Sequence, residues 1–393
     1  MKNAAVICEF DPLHTGHEYL IKTLRERGAE RVVCIMSGDA CQRGELSVFS
    51  KQDRARAALA VGADLVLELP YPYSAASAEF FAFGAMSIIK SLGCIDTLGF
   101  GCESGDAELL LSAASIDEEE FGRVYREIRE REASLGAAAQ MSLAYEHFGF
   151  GEELTSKPNN ILAIEYIKAA SKLGLDLDFC AVRRVGAEHG EGESGGFASA
   201  SYIRERIRSG ELKSEFLPTS CRAVFGSALE RGNISQGLSK IGDAVIAHFR
   251  LLGESPAETA ESGGGLLYRM TCAAHKTTNY AEFTEMIKTK KYTDARLRRA
   301  VLFSLTEVSE QDLHAEPSYT TLLGATKAGL EMLSGIKKTL GIPLVSNPAM
   351  LKRLPPSADR QKKLCRTLCA LRSLTCAVRT DTEAELRRPP VLM

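Results

Sequence analysis

The chain has 393 residues, of which 45% are hydrophobic and 25% charged, so it can form two or three domains and is neither disordered nor fibrous. Its 48 basic and 51 acidic residues nearly balance, which means that any nucleic-acid surface has to be a local patch. No uncharged apolar run reaches the roughly 18–20 residues of a membrane span, and Glu9 and Asp11 directly after the first apolar run are unlike a signal peptide. We therefore expect a soluble cytoplasmic protein.

The first half alternates short apolar runs with amphipathic segments. The pattern predicts strands at 4–8, 31–36, 63–69, 95–101 and 177–184, and helices at 17–27, 52–61 and 76–92. Three or four more helices are predicted between about 106 and 173, one of them a charged helix at 117–132. Apolar runs of this length that alternate with helices are typical of an α/β fold, with a parallel sheet covered on both faces.

The second half has a different pattern. A glycine-rich stretch at 186–196 and a short helix from about Ser201 to Gly210 come after the fifth strand. Beyond Pro218 the strand signal fades, and 254–265 has the composition of a loop. Helical periodicity predicts helices at 237–252, 265–274, 279–288, 293–305, 325–341 and 357–378. We therefore predict a sheet domain at 1–217 and a mainly helical domain at 218–393.

The eleven cysteines fit a reducing compartment, since they are scattered and form no CxxC pair. Cys365, Cys369 and Cys376 have a spacing that matches no zinc or iron–sulfur pattern, so we interpret them as ordinary thiols. No metal site is predicted in the protein.

Two histidines follow the first predicted strand, in Asp11-Pro12-Leu13-His14-Thr15-Gly16-His17. Ligands of open α/β sheets bind at the carboxyl ends of the strands, and a helix start offers free N–H groups to phosphate. His14 and His17 can donate hydrogen bonds to phosphate oxygens and stabilise a leaving pyrophosphate. Helix capping or packing is the alternative for one histidine, and metal binding for the pair lacks a third ligand nearby in the sequence.

This motif resembles the HxGH signature of the nucleotidyltransferase superfamily, whose members adenylylate a substrate with ATP and release pyrophosphate. In that superfamily a serine-rich helix start after the last strand helps to hold the triphosphate. Ser199 and Ser201 stand in that place here, with Arg204 one turn further on. The resemblance implies that these three residues act with the two histidines, and an ordinary N-cap is the alternative for the serines.

Seven ordered blocks resemble one family within that superfamily, the bacterial tRNA(Met) cytidine acetate ligases. The blocks are 9–17, 36–44, 62–70, 77–85, 100–103, 157–166 and 184–187, and similarity continues at 265–299 and 319–348. The resemblance implies a Rossmann-like nucleotidyltransferase domain with a helical carboxy-terminal domain. It also implies an enzyme that activates acetate with ATP as acetyl-adenylate and acetylates N4 of the wobble cytidine, position 34, of elongator tRNA(Met).

The resemblance further implies an ATP site, with Mg²⁺ accompanying the nucleotide. Its residues are Ile7, Cys8, Glu9, Phe10, Asp11, Pro12, Leu13, His14, Thr15, Gly16, His17, Glu18, Tyr19, Leu20, Gly101, Asn159 and Arg184. Gly101 ends the fourth strand, where a side chain would block a nucleotide. Asn159 follows a proline at a helix start, where its amide either caps the helix or bonds the ligand, and Arg184 ends the fifth strand with donors suited to phosphate.

The chain departs from the family pattern at three places. The family more often has Asn-Pro-Phe where this chain has Asp11-Pro12-Leu13, and asparagine where it has Asp39. Glu188-His189-Gly190 replaces the usual Tyr-His-Asp. These differences concern the acetate or adenosine pocket rather than the HxGH chemistry.

A basic segment supplies the predicted RNA contact. It contains Lys288, Lys290, Lys291, Tyr292, Arg296, Arg298 and Arg299. The cations can neutralise phosphates and the tyrosine can stack on a base, although a solvated helix face has the same composition. A wobble base lies in a single-stranded loop, so it can enter a pocket without the opening of a duplex.

Two other functions compete with the ligase. A small-molecule adenylyltransferase of cofactor biosynthesis would have HxGH without an RNA patch, and the long helical part disfavours it. A non-catalytic RNA-binding protein would not need the intact His14-Thr15-Gly16-His17. Neither a membrane nor an obligate protein partner is indicated by the sequence.

Overall fold

The structure is a computed structural model that describes residues 2–184, 193–194, 197–253 and 257–393. Several sequence-based statements fall on the other residues and lie outside the described part. They concern residues 185–187 of the block 184–187, Glu188-His189-Gly190, most of the glycine-rich stretch at 186–196 and the beginning of the loop at 254–265.

Twelve strands are formed by the described residues. They are β1 Asn3–Cys8, β2 Arg31–Ser37, β3 Ala40–Cys41, β4 Glu45–Leu46, β5 Leu65–Leu69, β6 Thr97–Cys102, β7 Asp178–Arg183, β8 Glu193–Ser194, β9 Phe197–Ala198, β10 Thr320–Ala325, β11 Leu344–Val345 and β12 Val391–Leu392. Nearly every residue of β1, β2 and β5 is buried, as expected for strands covered on both faces.

The same residues form eighteen α-helices, besides short 3₁₀ turns. In chain order they are α1 Thr15–Glu26, α2 Lys51–Ala60, α3 Ala78–Leu92, α4 Ala107–Ala114, α5 Glu118–Arg131, α6 Ala137–His147, α7 Glu152–Thr155, α8 Pro158–Lys172, α9 Ala200–Arg208, α10 Thr219–Glu230, α11 Gly242–Leu251, α12 Leu266–Lys276, α13 Tyr280–Ile287, α14 Asp294–Thr306, α15 Glu310–His314, α16 Lys327–Ile336, α17 Asp359–Thr375 and α18 Thr382–Leu386. None is long and apolar enough to cross a membrane.

The main sheet has the order β11-β10-β5-β2-β1-β6-β7, with β12 also paired to β10. The five strands β5, β2, β1, β6 and β7 are parallel, whereas β10 runs antiparallel to β5. Chain order therefore reverses between β1 and β6, which lie side by side. In such sheets the crevice at the carboxyl ends of these two strands is the usual place for a ligand.

Alternate side chains of β1 contribute to two different cores. Ala4, Val6 and Cys8 belong to a cluster that includes α1, α2 and α10, and Ala5 belongs to one that includes α3 and α8. A third cluster joins the carboxy-terminal helices to Tyr71 and its neighbours after β5. The sheet thus fixes β1 between two packed layers, and the loop after β1 is anchored at the sheet edge.

The predicted α/β class and all five parallel strands agree with the structure to within two residues at most ends. The region between 106 and 173 has five helices rather than three or four. Beyond Pro218, the helices α10, α15 and α18 and the three strands β10, β11 and β12 were not predicted. The described residues there are still mainly helical, and the boundary at 217 stays a prediction.

Candidate active site

His14 and His17 lie at the carboxyl end of β1, beside the point where the strand order reverses. His14 is the N-cap of α1, and its Nδ1 accepts a hydrogen bond from the Gly16 N–H at 3.1 Å. The Nδ1 of His17 in turn accepts from the His14 N–H at 3.2 Å. His14 therefore caps α1, which was one of the alternatives for a histidine at this position. Each of the two hydrogen bonds occupies only Nδ1, so neither bond uses Nε2.

The two imidazoles stack, with ring centroids 3.8 Å apart and 28° between the planes. Burial, and to a smaller extent the nearby charges of Arg184 and Arg204, together lower the pKa of His14 to about 3. The pKa of His17 is also lowered, first by burial and then by His14 and Arg184. Both rings are therefore neutral at pH 7, and because each Nδ1 accepts, each proton is on Nε2.

Helix α9 brings the predicted serine element to the same loop. Arg204 is 8% exposed and donates from Nη1 to the Asp11 carbonyl at 3.1 Å and from Nη2 to the Ser201 hydroxyl at 3.3 Å. Ser199 is the N-cap of α9, where its hydroxyl accepts from the Tyr202 N–H at 3.3 Å. The structure thus joins Arg204 to the loop after β1 and confirms the N-cap geometry of Ser199.

The acidic residues of the first segment are already engaged by the backbone. The Asp11 carboxylate is buried and accepts from the N–H groups of Val48 at 2.8 Å and Phe49 at 3.0 Å. Glu9 accepts from the Gln42 N–H at 2.7 Å, and burial raises the pKa of its carboxyl group. These contacts hold the segments after β2 against the loop after β1.

The other residues of the predicted ATP segment divide between the core and the surface. Cys8, Phe10, Leu13 and Leu20 belong to the first core, Ile7 packs on the second, and Pro12 is buried. Thr15, Gly16 and Glu18 are half-buried at the start of α1, whereas Tyr19 is exposed. A methyl group at Gly16 would lie 3.0 Å from Cε1 of His14. Glycine at this position therefore avoids a close contact with the His14 ring.

Gly101 and Arg184 lie at the ends of the neighbouring strands β6 and β7, and Asn159 lies in the first turn of α8. A methyl group at Gly101 would be 3.4 Å from Cγ of Arg184, which is exposed and close enough to lower the pKa of both histidines. Asn159 does not cap α8, whose N-cap is Lys157, and instead donates to Glu103 at 2.6 Å. The capping alternative for Asn159 was therefore wrong.

Comparison with known proteins agrees with this geometry. Residues 1–381 match the family described as HIGH Nucleotidyl Transferase. The tRNA(Met) cytidine acetate ligase of Thermotoga maritima is 32% identical over 368 residues, which are 89% of this chain and 88% of the relative. That of Bacillus subtilis is 33% identical over 388 residues, 93% and 91% of the two chains.

The chain belongs to the tRNA(Met) cytidine acetate ligase family.

Solved structures of this family have the same fold. The crystal structure of Thermotoga maritima TmcAL in its apo form superposes with a TM-score of 0.91 at 30% identity and covers both chains completely. The structure of the same protein bound with alpha-thio ATP gives 0.89 at 28% identity, again over both full lengths. The family, the fold class and the enzyme class expected from the sequence are confirmed.

The basic segment of this ligase-family chain is only partly available to a partner. Lys288, Lys290 and Lys291 are exposed, and the Arg296 guanidinium lies 4.7 Å from the centre of the Tyr292 ring. The hydroxyl of Tyr292 donates to the Gly264 carbonyl at 3.1 Å, which fixes the ring.

Two arginines of that segment point inward. Arg299 is 8% exposed and donates to the Glu261 carboxylate at 2.9 Å, so its position is that of a structural ion pair. Arg298 donates to the Arg43 carbonyl at 3.1 Å and lies 3.6 Å from Glu45. The interior of the segment therefore contacts β4 and the loop between β3 and β4, which Glu9 holds through Gln42.

Two residues that organise the site could not be recognised from the sequence. Arg54 is fully buried and donates to the carbonyls of Glu9 at 2.6 Å and Ser37 at 2.9 Å, and it also bonds the Gly38 carbonyl. Asn160 accepts from the Glu103 N–H at 3.0 Å and holds the loop after β6. Arg54 resembles a solvent-facing residue of an alanine-rich helix in the sequence, and only the tertiary fold buries it.

Proposed function

We propose that the protein is an ATP-dependent ligase that acetylates N4 of the wobble cytidine, position 34, of elongator tRNA(Met). The products are N4-acetylcytidine, AMP and pyrophosphate. The observation that carries the proposal is the stacked pair of neutral imidazoles at the start of α1, with His14 buried and His17 half-buried, placed at the switch point of the sheet with Arg204 beside it. This pair occurs in a chain that is similar to cytidine acetate ligases over nine-tenths of its length.

The chemistry requires an activated acetate. The exocyclic amine of cytosine is a weak nucleophile because its lone pair is delocalised into the ring, and acetate on its own would have to expel oxide. Attack of an acetate oxygen on the α-phosphorus of ATP forms acetyl-adenylate and releases pyrophosphate. The amine then attacks the acetyl carbon, AMP leaves, and the amine loses a proton. The protein mainly positions the reactants and stabilises charge.

The two histidines act as hydrogen-bond donors to the phosphates. Their Nδ1 atoms are occupied by backbone N–H groups, so the Nε2–H groups are the ones that remain to donate. The lone pair of each Nδ1 faces a backbone N–H group, so each neutral ring presents an N–H donor to a phosphate and not a lone pair that would repel it. The dipole of the helix adds to the attraction. Arg184, at the end of β7, is the exposed cation beside them and suits the phosphates of ATP.

Mg²⁺ enters this proposal together with the nucleotide. The described residues contain no group of three or more His, Cys, Asp or Glu side chains placed to hold a metal ion. Phosphate oxygens are ligands that Mg²⁺ prefers, so ATP would bring the ion with it, while the histidines and Arg184 would supply hydrogen-bond donors from the protein. Acetate is the second small substrate, and the cytoplasm, where tRNA is modified, is the proposed location.

Pyrophosphate release tests the proposal directly. The purified protein should release pyrophosphate from ATP in the presence of acetate, and acetylate tRNA(Met) at one cytidine detected by mass spectrometry. Release that is indifferent to acetate would contradict the ligase and favour the small-molecule adenylyltransferase.

Substitutions of the histidines locate the chemistry. His14→Ala and His17→Ala should each lower acetylation at least tenfold, which corresponds to about 1.4 kcal/mol of transition-state stabilisation. His14→Asn retains an acceptor for the Gly16 N–H and so separates helix capping from phosphate binding. If these variants turn over like the wild type, the histidines have no part in catalysis.

A further inference from the structure

The short loop between β3 and β4 connects the proposed ATP site to the basic segment. On one side, the Gln42 N–H donates to the Glu9 carboxylate at 2.7 Å. On the other, the Arg43 carbonyl accepts from Arg298 at 3.1 Å. Gly44 packs so closely that a methyl group there would lie 2.5 Å from the backbone nitrogen of Arg299. The loop is therefore fixed between the two regions.

Arginines outnumber carboxylates around this loop. The Glu45 carboxylate lies 3.3 Å from Arg208, 3.6 Å from Arg298 and 3.8 Å from Arg204. Arg43 is the fourth cation of the group, and Glu9 is the second acid that acts on it. Among the described residues, the four guanidinium groups outnumber the three carboxyl groups that act on them, which are those of Glu45, Glu9 and Asp11.

Arg43 and Arg208 each have guanidinium donors without an acceptor among the described residues, although Arg208 also pairs with Glu45 through Nη2. Arg43 is half-buried, and its side chain forms no hydrogen bond or ion pair with any described residue. Burial lowers the pKa of Arg43, and the neighbouring Arg204 and Arg298 add to that effect. The Nε of Arg208 is buried without a hydrogen-bond acceptor. Buried donors without an acceptor destabilise the folded protein, and a bound anion would supply the missing acceptors.

We propose that Arg43, Arg208 and Arg298 bind a backbone phosphate of the RNA, next to the nucleotide that is modified. A phosphodiester offers several oxygens in a small volume, which suits converging guanidinium forks. This inference rests on the proposed function, because it takes RNA as the second substrate.

The position favours RNA over the phosphates of ATP as the source of the anion. Arg298 belongs to the segment whose exposed lysines continue along the surface. Of the four arginines, Arg204 acts on His14, and its donors are already directed to the Asp11 carbonyl and the Ser201 hydroxyl. Arg43, Arg208 and Arg298 are therefore linked to the basic segment, the proposed RNA contact, more directly than to the histidines of the ATP site.

Equilibrium binding of a tRNA(Met) transcript, measured without ATP between 50 and 300 mM salt, tests the inference. Arg43→Ala and Arg208→Ala should each raise Kd at least fivefold and reduce the slope of log K against log salt by about one. Arg43→Lys keeps the charge and should bring Kd back to within threefold of the wild type. Arg123→Ala is the matched control, because this arginine is exposed on α5 and pairs only with Glu127 at 2.8 Å among the described residues.

Two further measurements complete the test. Because the Arg43 side chain forms no hydrogen bond or ion pair with a described residue, Arg43→Ala should leave the thermal midpoint unchanged or raise it, so weaker binding is not a result of unfolding. In both alanine variants, the rate of tRNA acetylation should decrease by a factor at least ten times larger than the rate of acetate-dependent exchange of pyrophosphate into ATP. Wild-type Kd and salt slope in both alanine variants would overturn the inference, and so would a loss confined to the exchange reaction. Exchange by the wild type without acetate would contradict the proposed function alone, because the binding measurement uses neither ATP nor acetate.

Discussion

The buried His14 should make the stability of the protein depend on pH in a direction that one substitution can isolate. Burial lowers the pKa of this ring to about 3, whereas an unfolded histidine titrates near 6.5. Below about pH 6.5 the unfolded chain therefore binds a proton that the folded ring does not accept. Stability is complete above that pH and is lost as the pH falls toward 3.

The magnitude follows from the titration of the unfolded ring. Between pH 7.5 and 5.5 the loss from His14 is about 1.4 kcal/mol, and it is insensitive to the folded value as long as this stays below about 4.5. His14→Asn removes the titrating ring and keeps an acceptor for the Gly16 N–H. The variant should therefore lose about 1.4 kcal/mol less stability than the wild type over this interval, since burial, the largest cause of the lowered pKa of His17, is present in both proteins.

Urea unfolding followed by circular dichroism at the two pH values measures this difference. His275→Asn is the control, because His275 is exposed in the last turn of α12, and this variant should follow the wild type. If His14→Asn and the wild type lose the same stability within about 0.3 kcal/mol, the ring is not held neutral by burial and the argument for two neutral phosphate donors fails.

Two other predictions concern the loop and the basic segment. Gly44→Ala should lower the free energy of unfolding by about 2–4 kcal/mol, since its φ is +74° and the methyl group would meet the backbone of Arg299. Gly28→Ala, with φ +98° and nothing within 4 Å, should cost only about 1 kcal/mol, and equal losses in urea unfolding would contradict the close packing. The double variant Lys290→Glu, Lys291→Glu should bind tRNA more weakly in filter binding, with unchanged acetyl-adenylate formation. Unaltered affinity would exclude that pair from the RNA interface.

Local pattern sufficed for the parts of the fold that consist of continuous apolar runs. The strands β1, β2 and β5 are such runs, and the position of the histidines at the end of β1 followed from the rule for parallel sheets. Strand β10 has the sequence Thr-Thr-Leu-Leu-Gly-Ala and exists through its pairing with β5, about 250 residues earlier. Such a strand has little local signal, because its stability comes from the partner.

The same limit applies to side chains. Arg299 lies in a run of cations that predicts an RNA contact, yet it is buried against Glu261, 38 positions earlier in the chain. Arg54 is buried because four backbone carbonyls converge on it from separate segments. A residue type and its near neighbours do not reveal partners that only the fold brings close.

The antiparallel strand β10 limits how this protein can be divided into fragments for separate expression. It covers β5, whose five residues are all buried, and it is itself contributed by the carboxy-terminal half. A fragment that stops at 217 would present the outer edge of β5 to water as a row of unpaired amides and carbonyls, open to association with other chains. Adenylate formation and RNA recognition should therefore be separated by single substitutions in the full-length protein rather than by expressing its halves.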